Sequence, residues 1–78
     1  MVKNMQTISE TTGVCYEAED CVFFRNTLQS AFYVFHGAKL VDAFVDNNLK
    51  FVFTFYKNDH ERLKMLWKNS NIEKEKGN

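Results

Sequence analysis

Seventy-eight residues allow one domain at most, because a chain this short buries only about 60% of its unfolded surface and has little margin over the entropy of ordering it. Ten basic and ten acidic residues leave a formal charge of zero, so no long-range field gathers phosphate or anionic lipid, and this counts against nucleic acid as the partner. Eight Phe, three Tyr and one Trp supply a dense aromatic core, with more ring surface than so small a core readily hides.

Residues 1–12 are polar and Ser/Thr-rich and are expected to be a flexible N-terminal segment, since they offer little apolar surface to offset ordering entropy. They carry no apolar signal-peptide region, and no apolar run anywhere approaches the ~20 residues that would span a bilayer. A cytoplasmic location without membrane association is the expectation. Cys15 and Cys21, with five residues between them, do not match the CxxC spacing of zinc ribbons or redox sites and are expected to be free thiols in that compartment.

The folded domain is expected over residues 13–68. Val14-Cys15-Tyr16 is extended, Glu17-Ala18-Glu19-Asp20 is an acidic turn, and Cys21 to Phe24 is a strand rich in branched and aromatic residues, with residues 14–17 pairing with it or leading in. Asn26 and Gln29 form a variant capping box; Leu28, Ala31, Phe32 and Phe35 make one apolar stripe at helical period; Gly37 stands where a helix ends. A helix from Thr27 to His36 follows, with Tyr33 and Val34 off its stripe. Leu40 to Val45 and Leu49 to Tyr56 form a β-hairpin around Asp46-Asn47-Asn48, the second strand placing Phe51, Phe53 and Phe55 on one face and Val52, Thr54 and Tyr56 on the other. Asn58 and Glu61 form a second capping box, opening a helix over Asp59 to Lys68 with Leu63, Leu66 and Trp67 as its stripe. Residues 69–78 are expected to be a flexible polar tail.

The order β-α-β-β-α predicts an α+β fold, a small antiparallel sheet of three or four strands with both helices on the face of Phe51, Phe53 and Phe55. The other face, with Val52, Thr54 and Tyr56, is then open, and an apolar sheet face without cover calls for a partner.

Catalysis needs a nucleophile, a base and an orienting group in one pocket. His36 ends a helix, where a cation is structurally useful, and His60 lies in a helix first turn. Cys15, Cys21, His36 and His60 match no zinc spacing, so no catalytic residue, metal or cofactor is assigned. Asp42, the sole charge between Leu40 and Val45, points to solvent or bonds a backbone amide or turn. The sequence lacks the glycine-flanked basic-aromatic motif of sheet-based RNA readers. Candidate partner-binding residues are therefore Glu17, Glu19 and Asp20 in the acidic turn and Val52, Thr54 and Tyr56 on the open face.

Gln29-Ser30-Ala31-Phe32-Tyr33 leading to His36-Gly37-Ala38, then Val41-Asp42-Ala43-Phe44, Phe51-Val52-Phe53-Thr54-Phe55 and finally Leu66-Trp67 resemble a loosely defined family of small uncharacterised proteins from phages, integrative elements and Gram-positive genomes. The resemblance runs from Cys21 to Trp67 and brings no settled activity. It implies a non-enzymatic, protein-binding accessory protein of a mobile element, of the kind that inhibits a host defence complex such as a CRISPR–Cas effector. The competing expectations are a nucleic-acid-binding regulator using Lys50, Lys57, Arg62, Lys64 and Lys68, and a homodimer through the open sheet face.

Overall fold

The alternation in Phe51–Tyr56 makes a strand, and that strand is the centre of the molecule. The computed structural model describes residues 6–70. In chain order these form β1 (Gln6–Ile8), β2 (Cys15–Glu17), a 3-10 turn at Ala18–Asp20, β3 (Cys21–Phe24), α1 (Thr27–Phe35), β4 (Leu40–Val45), β5 (Phe51–Tyr56) and α2 (Lys57–Lys68). β5 lies between β3 and β4, antiparallel to both, in a three-stranded sheet of order β3-β5-β4. From β3 onward the order is the expected β-α-β-β-α, and the class is α+β.

The N-terminal expectation is corrected. Gln6–Ile8 pairs antiparallel with Cys15–Glu17, forming a separate two-stranded sheet, so residues 6–12 belong to the fold and residues 14–17 do not pair with β3. Their polar character serves directional bonding: the Ser9 amide donates to Val14 O (2.8 Å), Gly13 N to Ser9 O (2.9 Å), and the amides of Thr11 and Thr12 to Ser9 Oγ (3.1 and 2.9 Å). Gly13 holds φ +80 in this loop, a conformation that suits glycine. Residues 1–5 and residues 71–78 of the expected tail lie outside the described residues.

α1 starts as expected, with Asn26 Oδ1 accepting from Gln29 N at 3.1 Å. It ends in a Schellman motif: Gly37 (φ +92) donates to Val34 O and Ala38 to Tyr33 O, at 3.0 and 2.9 Å. Its phase differs from the expected stripe. Tyr33 is fully buried, Ser30 is buried, and Phe35 is 84% exposed. Leu28 and Phe32 of the stripe do pack on the core, but the last turn, from Phe32 to Phe35, is apolar all round, and there the tyrosine, with a partner for its hydroxyl, took the centre. The tail of β5 also runs straight into α2, which begins at Lys57 with Tyr56 as N-cap and no side-chain cap. The Asn58–Glu61 capping box does not form: Asp59 accepts from Lys39 N (3.0 Å) and pairs with Arg62 (3.1 Å), and Glu61 pairs with Lys64 (2.8 Å).

Both helices cover one face of the sheet. Tyr33, Ala38, Phe55, Leu63 and Trp67 form its core, with Phe24, Phe32 and Leu40 packed around them. The β4–β5 turn is organised by Asp46, whose Oδ1 accepts from the amides of Asn48 and Lys50 at 2.8 and 3.1 Å. Those backbone bonds and the Arg25 guanidinium hold its carboxyl below the usual carboxylate range. Leu49 carries the turn's left-handed residue at φ +62, so β5 begins at Phe51 and not at Leu49.

Candidate functional site

The register of β5 decides which side chains share a face. Val52 lies opposite Phe44, and Thr54 opposite both Phe23 and Asp42. A β-bulge between Leu40 and Asp42 puts Val41 on this same side, where it is fully buried with Tyr16 and Cys21. The rings of Phe23 and Phe44, on the strands flanking β5, meet across it edge-on at 6.4 Å. Val52 is 6% exposed and Thr54 0%.

The open sheet face is therefore corrected. The β1–β2 hairpin lies over one end of it, and the two phenylalanines span the rest. Val52 and Thr54 are inaccessible to a partner or a second copy. Tyr56 is half-buried against the Tyr16–Cys21–Val41 cluster. Of the acidic turn, Glu19 and Asp20 are exposed and Glu17 is half-buried. Asp20 and Tyr56 do come together, around a shallow hollow that also includes Lys57 and Asn58.

Asp42 is the polar centre of the covered face. Its Oδ1 accepts from Ser9 Oγ (2.6 Å) and from its neighbouring amide, Ala43 N (2.8 Å), and its Oδ2 accepts from the Tyr16 hydroxyl. Burial, then the hydrogen bond and the negative charge of Asp42, push the Tyr16 phenol up to about 12. Thr11 Oγ1 and Thr12 Oγ1 donate to Ala43 O and Val41 O at 2.7 and 2.6 Å. These bonds satisfy outward-facing groups of the edge strand β4, which would otherwise template pairing with another chain. The sequence signal was Asp42 itself, an acid in an apolar strand. It needed donors, and the Ser/Thr-rich segment read as flexible supplies them.

The helix face carries the surface that sequence reasoning missed. Because α1 turns Tyr33 inward, Ala31, Val34 and Phe35 are left outside. With Leu40 and Phe53 they line an open groove of about 460 Å³ between α1 and the sheet. Phe51 and Val45, 62% and 50% exposed, pair across the same face of the sheet. The groove offers few polar groups: Thr27 and Ser30 complete its lining, and the Ser30 hydroxyl donates to Asn26 O at 2.9 Å. A small-molecule site normally adds several convergent polar groups that fix orientation. This lining instead suits the apolar side chains of a macromolecular partner.

Several of the remaining titratable groups have structural partners. The Tyr33 hydroxyl lies 2.9 Å from His60 Nδ1, and burial raises its pKa. His60 packs edge-on against Phe24. Cys21 is buried on the hairpin side of the sheet, its thiol pKa raised by burial, whereas His60 is on the helix side; Cys15 and Cys21 are both free thiols. Arg62 and Lys64, two of the candidate phosphate contacts, are engaged with Asp59 and Glu61. No helix among the described residues is long and apolar enough to cross a membrane. Comparison with protein-family models, with curated proteins and with solved structures finds no match to this chain.

Proposed function

We infer that this is a non-enzymatic protein-binding module that engages its partner through the groove beside α1. The observation that carries the reading is the exposed apolar strip of Val34 and Phe35 next to Leu40 and Phe53. A single exposed apolar residue needs no explanation, but a contiguous patch on a small domain marks an interaction surface. The use of Asp42, Tyr16 and His60 in internal bonds agrees with a binding role. The accessory role in a phage or mobile element, including occlusion of a host defence complex such as a CRISPR–Cas effector, rests on the resemblance over Cys21 to Trp67. The groove adds what kind of contact such a role would use.

The test is affinity capture from a host lysate treated with nuclease, comparing the tagged protein with a Val34→Asp/Phe35→Asp variant whose circular dichroism and thermal midpoint match the parent. The reading expects a protein retained by the parent and lost by the variant. Equal retention by both would remove the groove from the account. Retention that disappears on nuclease treatment would favour the nucleic-acid regulator.

A further inference from the structure

We propose that the N-terminal hairpin, residues 6–17, is a strap that opens as a unit, uncovering Cys21, Val41 and Thr54 while the three-stranded sheet and both helices stay folded. No backbone ladder joins the strap to that sheet. Among the described residues, its hydrogen bonds to the rest of the fold come from four hydroxyls, those of Ser9, Thr11, Thr12 and Tyr16, and all end on residues 41–43 of β4. Its apolar attachment is Tyr16, with Val14 beside it, on Val41, Cys21 and Tyr56. The bonds within the loop, from Ser9 to Val14, travel with the strap and are not broken when it lifts.

The strap is joined to β3 through Ala18–Asp20, a single turn with no buried residue. The core of the helix face contains no strap residue, so lifting the strap leaves it intact. Two features lower the stability of the closed form. The Thr54 hydroxyl is fully buried and has no hydrogen-bond partner among the described residues. The buried Asp42 carboxylate is held by hydroxyl and amide donors, and among the described residues no cation lies within ion-pair distance of it. Opening hydrates both groups. It also joins Val41 and Tyr56 to Phe23 and Phe44, already 43% and 40% exposed on that face. Local opening of a segment with few attachments, below the threshold of global unfolding, is the expected behaviour of such a unit.

Cys21 is a built-in reporter, because it lies beneath Tyr16 and the only other thiol, Cys15, is exposed. In a Cys15→Ser background, labelling of Cys21 by dithiobis-nitrobenzoate is followed at urea concentrations below the unfolding transition. The strap predicts a labelling rate that changes little with urea in this range, and a Tyr16→Phe variant that labels about tenfold faster or more. Its helix content and the exchange of its β5 amides should stay those of the parent. The proposal is overturned if Cys21 reacts only through global unfolding, its rate rising with urea along the full slope of the unfolding transition. If Tyr16→Phe does not fold, the urea dependence of the Cys15→Ser protein alone decides.

Discussion

The two faces of the sheet are built from the same strand and held by unlike forces. On the helix face, Phe55 meets Tyr33 and Phe24 at ring-centroid distances of 5.5 and 5.9 Å, and Trp67 packs on Phe32 at 5.2 Å. On the hairpin face, one carboxylate gathers two hydroxyls and an amide, and threonine hydroxyls finish the strand edge. Apolar burial is non-directional and tolerates surplus, which is how a groove of unmatched side chains can remain beside α1. A buried carboxylate tolerates none, because each missing donor leaves a desolvated charge with fewer partners. The first face can therefore keep an open apolar groove, whereas the second must be closed by particular residues.

Truncating the centre of the helix face should do the greatest damage. Phe55→Ala removes a fully buried ring and should cost about 3–5 kcal/mol, enough to unfold much of so small a domain. Urea denaturation followed by circular dichroism measures it. Asp42→Ala should act on the other face alone. It orphans the buried donors of Ser9 and Tyr16 at about 1–3 kcal/mol each, freeing the hairpin while the α1 and α2 signals persist. A variant that loses helix and hairpin together would show that the faces are not separable.

Alkaline titration sharpens the contrast. The Tyr16 phenol has its pKa raised from 10.0 to about 12 in the folded protein, so the folded form holds this proton more tightly than the unfolded chain. Its contribution to stability is complete below about pH 10 and is lost as pH rises through about 12. Thermal midpoints measured over this range should therefore fall more steeply for the parent than for Tyr16→Phe. The difference between the two isolates Tyr16 from Tyr33 and Cys21, whose pKa values are also raised by burial. The smallest effect belongs to the turn shared by both faces. Leu49 is exposed at φ +62, and Leu49→Gly should raise stability by about 1 kcal/mol by relieving the left-handed conformation.

Elements with local chemistry were legible in the sequence. Asn26 at one end of α1, accepting from the Gln29 amide, and Gly37 at the other acted as capping residues do, and the alternation through Phe51–Tyr56 gave β5 and its two faces. What escaped depended on distant partners. Gln6–Ile8 pairs with Cys15–Glu17 in a hairpin that the hydroxyls of Ser9, Thr11, Thr12 and Tyr16 tie to residues 41–43, about thirty residues away. The α1 stripe was misphased at its end because Tyr33, though off the apolar period, has a hydroxyl that meets His60 and turns inward in place of Phe35. The burial of Val52 and Thr54 required the hairpin and the Phe23–Phe44 pair, neither of which one strand announces. The groove beside α1 followed from the same misphasing, since Ala31 and Phe35 of the expected stripe are left outside, while its Leu28 and Phe32 pack on the core.

Native-state hydrogen exchange tests most directly whether the two faces are held separately. Once lifted, an isolated two-stranded hairpin is too marginal to protect its own amides, so the account predicts that amides bonded within residues 6–17 exchange through an opening that depends weakly on denaturant, while those of Phe53 and Phe55 exchange only with global unfolding. A single opening event shared by both sets, with one free energy and one denaturant slope, would contradict it.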